Sequence, residues 1–119
     1  MSRVGLHRLA HARSGDKGDT ANVGVIAFTP EIYAFLKREL SAERVAAHFA
    51  GRIEGEVERY DLDNLGALNF LLHGALDGGG TMSLMTDAQG KVYSTALLRM
   101  ALEVPDEVLD SLDEEEATE

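Results

Sequence analysis

The residues best equipped for chemistry lie together in one stretch: Ala12-Arg13-Ser14-Gly15-Asp16-Lys17-Gly18-Asp19-Thr20-Ala21-Asn22. Arg13, Ser14, Asp16, Lys17, Asp19 and Asn22 each bring a charge, a hydroxyl or an amide, while Gly15 and Gly18 let the backbone turn sharply and approach a ligand closely. Backbone N–H groups around the glycines, together with Arg13 and Lys17, can cradle an anion. Asp16 and Asp19 can instead hold a hard cation through oxygen. The plainer alternative is that the Asp, Asn and Ser side chains satisfy the segment's own backbone in Asx-type turns.

Two familiar motifs do not fit. A phosphate-binding P-loop places Lys and then Ser or Thr directly after its last glycine, and it opens a helix. Here Lys17 precedes Gly18 and a strand-like run follows. A calcium loop starting at Asp16 needs Glu at its twelfth position, where Ala27 stands.

Other side chains carry less. Asn69 and His73 fall one turn apart on an expected helix, so Asn69 can fix the polar loop, contact a ligand or cap neighbouring backbone, and His73 can act as an acid or base. His7 and His11, four apart on an expected strand, share a face but lack a clear third metal ligand. His48 reads as a solvated residue on a short helix. There is no cysteine, hence no thiolate metal site, and Ser14 has no base beside it in sequence. No metal set and no cofactor follow from these residues.

The elements that position the polar stretch are legible in outline. Arg3 to Ala12 alternates loosely and Val23 to Phe28 is β-branched and apolar, which predicts two strands flanking a loop. Thr29-Pro30 signals a helix start, with Ile32, Leu36 and Leu40 behind it, and Ser41 caps a second short helix. A weak strand over 54–62 exposes Glu54, Glu56 and Glu58 on one face. Asp63 caps a third, well-buried helix running to about Leu76, which Gly78-Gly79-Gly80 terminate. Met82–Met85 and Val92–Val104 flank the turn sequence Asp87-Ala88-Gln89-Gly90 and read as a hairpin, after which Val108, Leu109 and Leu112 form one helical turn. The order β-β-α-α-β-α-β-β predicts an α+β fold, a ferredoxin-like two-layer sandwich with a mostly antiparallel sheet and helices on one face. The expected division is a domain over 1–105 and an acidic, disordered tail over 106–119.

The charge supports that division. Nine of the 21 acids lie in 103–119, where there is no Lys or Arg, leaving 12 acids against all 11 bases in the rest of the 119-residue chain. A nearly neutral body excludes the basic stripe that nucleic-acid binding requires. No signal-peptide run or membrane-length apolar segment is present, and with no cysteine the expected location is the cytoplasm.

The string from Ala12 to Gly24, together with Leu68-Asn69-Phe70, Asp77-Gly78-Gly79-Gly80, Gln89-Gly90-Lys91, Leu97-Leu98 and Val104-Pro105, resembles the C-terminal domain of the acyclic terpene utilisation protein A (AtuA) family over nearly the whole chain. The resemblance implies a ferredoxin-like fold and a place in bacterial breakdown of branched or terpenoid acids as acyl-CoA thioesters. It also implies a stand-alone form whose large AtuA-type subunit is a separate partner. It favours Arg13, Ser14, Gly15, Asp16, Lys17, Gly18, Asp19, Asn22 and Asn69 as a ligand-binding set, but delivers no reaction. Three functions compete on this basis: an accessory subunit that binds an anionic ligand such as an acyl-CoA through the 13–22 loop; a structural oligomerisation module forming homo-oligomers; and a small lyase or hydratase using Asp16 or Asp19 on acyl-CoA thioesters, with Asn69 polarising a carbonyl.

Overall fold

The computed structural model describes residues 2–17, 20–50, 53, 55–74 and 93–117, with the backbone alone at 16, 17 and 113–117. The elements run β1 (Ser2–Gly5), β2 (Ala10–Lys17), β3 (Thr20–Ala27), α1 (Pro30–Glu39), α2 (Ala42–His48), β4 (Val57–Leu62), β5 (Ala67–Leu72), a helix α3 over 93–98, β6 (Ala101–Val104) and α4 (Asp106–Ala117). Four strands form an antiparallel sheet in the order β2-β3-β5-β4, and β1 pairs with β6 in a second, two-stranded sheet. This is the expected α+β architecture.

Helices pack against one face of the larger sheet. Val23, Val25, Leu68, Phe70 and Leu72 project there and are buried with Ile32, Phe35 and Leu36 of α1, Val45 of α2, and Phe49. Leu102 and Val104 of the smaller sheet, and Leu6 of the 3-10 turn that follows β1, join the same core. Both helix starts are as read from sequence: Thr29 accepts from the Ile32 N–H with Pro30 following, and Ser41 accepts from the Arg44 N–H. Arg59 on β4 reaches over to donate to the carbonyls of Lys37 and Leu40, filling acceptors that the end of α1 leaves open.

Several elements differ from the sequence reading. The expected helix over 63–76 is a 3-10 turn, Asp63–Leu65, followed by β5. Leu68, Phe70 and Leu72 are buried while Asn69 and Leu71 are only half-buried, a period of two that an apolar run hides when both faces carry leucine. Gly66, at φ 60° and ψ 40°, closes the β4–β5 turn in the left-handed region. The first strand is two, β1 and β2, separated by a 3-10 turn over Leu6–Arg8. Residues 93–98, expected as strand, are helical because Tyr93 and Leu97 are buried four apart, and only 101–104 form a strand. The expected single turn near Val108 is the twelve-residue α4. The expected glycine stop at 78–80 and the hairpin turn at 87–90 lie outside the described residues. No described helix is long and apolar enough to cross a membrane.

Candidate functional site

The polar stretch is the end of a β-hairpin. β2 and β3 pair continuously from Ala10↔Ala27 to Lys17↔Thr20, leaving only positions 18 and 19 between the strands. Alternation therefore sorts the expected ligand-binding residues by face. Ser14 pairs with Val23 on the helix-covered side, whereas Arg13 and Gly15 belong to the opposite side with Gly24 and Asn22. Asp16 and Lys17 pair through the backbone with Ala21 and Thr20; their side chains, and all of Gly18 and Asp19, lie outside the described residues.

Directly opposed residues on neighbouring strands share a face, so the register assembles the helix-free surface row by row. Arg13, Gly24, Asn69 and Tyr60 form one row across β2, β3, β5 and β4. Gly15, Asn22, Leu71 and Glu58 form the next. Asn69, expected on a helix, is thus a sheet residue beside Arg13's row partner Gly24. A Cβ built on Gly24 would lie 3.7 Å from the Asn69 Oδ1, so the bare glycine makes a shallow floor between the arginine and the amide. Arg13 is exposed and forms no ion pair with a described residue, and neither Asn22 nor Asn69 makes a side-chain hydrogen bond to one.

At the end of the same face is a network the sequence reading missed. His73 Nε2 is hydrogen-bonded to Glu58, its Nδ1 lies 3.3 Å from the Thr20 hydroxyl, and the Tyr60 hydroxyl donates to the other Glu58 oxygen at 3.1 Å. The His73 and Tyr60 bonds hold the Glu58 carboxyl below its usual range, and the Glu58 bond raises the Tyr60 phenol. Alternation through 69, 71 and 73 is the signal that would have placed His73 on this face rather than on a helix.

A second concavity, a cleft of about 320 Å³, opens where α1 faces the β4–β5 turn, between Phe28, Tyr33, Asp63 and Leu65. At its polar end Tyr33 and Lys37 both donate to Asp63.

The remaining histidines are separate. His7 is in the 3-10 turn and His11 on β2, so they do not share a strand face; the His11 ring stands edge-on to Phe28 at 4.6 Å. His48, expected to be solvated, donates from Nε2 to the Ala96 carbonyl at 2.8 Å and ties α2 to α3. Among the described residues no three His, Asp or Glu side chains converge as a metal site requires.

No curated protein and no solved structure matches the chain significantly. Residues 4–103 match the family model of the AtuA ferredoxin-like domain, a span that takes in both strands of the polar hairpin, Asn69 and His73, and the chain belongs to that family.

Proposed function

We propose that the chain is an accessory AtuA-type domain in bacterial catabolism of terpenoid or branched acyl-CoA compounds. In this reading it binds an anionic ligand on the helix-free face of the β2–β3 hairpin and completes a site shared with a separate large AtuA-type subunit. The observation that carries it is the row Arg13–Gly24–Asn69: an exposed cation without an ion-pair partner among the described residues, a floor with no side chain, and an amide with open hydrogen-bonding capacity. Arg13 and Lys17 supply charge, Gly15 and Gly18 close backbone approach, and Asp16, Asp19, Asn22 and Asn69 orientation.

Isothermal titration of a branched acyl-CoA thioester tests it, with and without the large subunit. Binding heat should be present for the wild type and reduced at least tenfold in affinity by Arg13→Ala or Asn69→Ala. Equal affinities, or no heat from any protein in either condition, would remove the reading.

A second reading rests on exposed apolar side chains around the β4–β5 turn, Phe28, Tyr60, Leu62 and Leu65, the last 69% exposed. Such a patch suits pairing with a second copy of the chain. Sedimentation should then show a dimer that Leu65→Asp dissociates; a monomer at every concentration would eliminate it.

A further inference from the structure

We propose that Thr20, His73 and Glu58 form a hydroxyl–imidazole–carboxylate relay that catalyses acyl transfer from carboxylic esters or thioesters to the Thr20 hydroxyl. Three strands supply it. Thr20 opens β3, His73 immediately follows β5, and Glu58 lies on β4, so residues 53 and 15 positions apart in sequence meet through strand register alone.

The hydrogen bonds fix the direction of proton flow. An ionised carboxylate can only accept, so the imidazole proton shared with Glu58 sits on Nε2. In the neutral imidazole Nδ1 then carries the free lone pair, and it lies 3.3 Å from the Thr20 Oγ1. That separation is long for a hydrogen bond, as is common at acid–base sites before substrate tightens them. Tyr60 occupies the second Glu58 oxygen and holds the carboxylate plane. His73 is pinned by its own backbone: its N–H donates to the Glu56 carbonyl at 3.0 Å and its carbonyl accepts from the Gly55 N–H at 2.9 Å.

A structural role explains this poorly. The His73 and Glu58 side chains are 39% and 42% exposed, and a histidine–carboxylate contact so open to water contributes little to folding. The same openness leaves the imidazole accessible to a substrate, with the half-buried Thr20 beside it.

The chemistry balances with water as the only co-reactant. The Thr20 Oγ1 forms a bond to the acyl carbon as its proton passes to His73 Nδ1. The bond from that carbon to the leaving oxygen or sulfur breaks, and the leaving group takes the proton from Nδ1. Water, deprotonated by the same nitrogen, then attacks the acyl-threonine, releases the carboxylic acid and restores the hydroxyl. Asn22, two positions along β3 on the same face, offers a side-chain amide to the oxygen that becomes negative. His73 and Thr20 touch the reacting atoms; Glu58 is a positioning residue.

The test uses the full chain and p-nitrophenyl acetate, a neutral ester that makes no demand on Arg13 or Lys17 and so separates this proposal from anion binding. The expected result is a burst of p-nitrophenolate with one acetyl group that peptide mapping places on Thr20. Thr20→Val should abolish the adduct and Thr20→Ser retain it. His73→Gln should slow acylation on the order of 100-fold or more, and Glu58→Gln should lower the acylation rate without changing KM. Circular dichroism checks that each variant folds; should His73→Gln fail, Glu58→Gln carries the comparison. Wild-type protein acetylated only at lysines, or Thr20 acetylated equally fast in folded His73→Gln, would overturn the proposal.

Discussion

Tyr33 and Asp63 meet where α1 faces the β4–β5 turn: the phenol donates to Asp63 Oδ1 at 2.5 Å, and Lys37 Nζ reaches the same oxygen at 2.9 Å. This contact ties the helix that covers the core to the hairpin that carries Tyr60 and Asn69. Burial, and then the bond to the Asp63 carboxylate, push the Tyr33 phenol from 10 up to about 12.

The sign of its pH effect follows. The folded protein keeps the Tyr33 proton at a pH where the unfolded chain releases it, so the stabilisation is complete below pH 10 and lost as pH rises toward 12. In an absorbance titration one of the three tyrosines should ionise near pH 12, and that phase should vanish in Tyr33→Phe. Tyr33→Phe should melt below the wild type at neutral pH, with the gap closing between pH 10 and 12.

Two carboxylates, both largely exposed, add a small acid limb. Bonds from Tyr33 and then Lys37 lower Asp63 from 3.8, and bonds from His73 and then Tyr60 lower Glu58 from 4.5. Depressed values mean stabilisation that is present above those unfolded-state figures and disappears as pH falls through the lower folded ones. Melting temperature should therefore drop below pH 4.5, and Asp63→Asn or Glu58→Gln should each make that drop shallower. An unchanged acid slope in both variants would show that these bonds do not persist in solution.

What the sequence disclosed follows the range of the interactions. The caps at Thr29 and Ser41 are set within three residues, so they were readable directly. The chemistry of 12–22 was equally visible, but its backbone was not, since polar and glycine residues paired in a hairpin look like loop residues. Local pattern puts Asn69 and His73 on a helix rather than a strand, because Leu65, Leu68, Leu71 and Leu72 satisfy a helical period as well as an alternating one. Glu58 as the partner of His73 depends on the β4–β5 register, which local pattern does not encode.

The α1–α4 contact depends on a hydroxyl relay. Ser111 spends its single proton on the Val108 carbonyl at 2.6 Å, so Thr29 is the donor in their 2.8 Å bond while its oxygen accepts from the Ile32 N–H. Both side chains are buried. Thr29→Ala should destabilise by about 1–2 kcal/mol by removing the helix cap and a buried bond, and Thr29→Ser should recover most of it. A denaturant double-mutant cycle with Ser111→Ala should give a coupling of roughly 0.5–3 kcal/mol, as expected for residues in one network. Strict additivity would mean that α4 does not dock through this pair.

Two glycines resist substitution for different reasons, and comparing them isolates the placement of His73. A Cβ on Gly55 would lie 2.7 Å from both the Cβ and the carbonyl oxygen of His73, and backbone at that distance cannot step aside cheaply. Gly66 has open space around it, but its φ of 60° penalises any Cβ. Gly66→Ala should therefore lose roughly 1–2 kcal/mol, with Gly66→Asn losing less because asparagine tolerates that region. Gly55→Ala should lose about 1–3 kcal/mol through overpacking, and it alone should move the His73 imidazole proton resonances, since the added methyl pushes the ring away from Thr20 and Glu58. If those resonances stay in place in a folded Gly55→Ala protein, the close approach of this loop does not hold the histidine, and its position rests on the Glu58 bond instead.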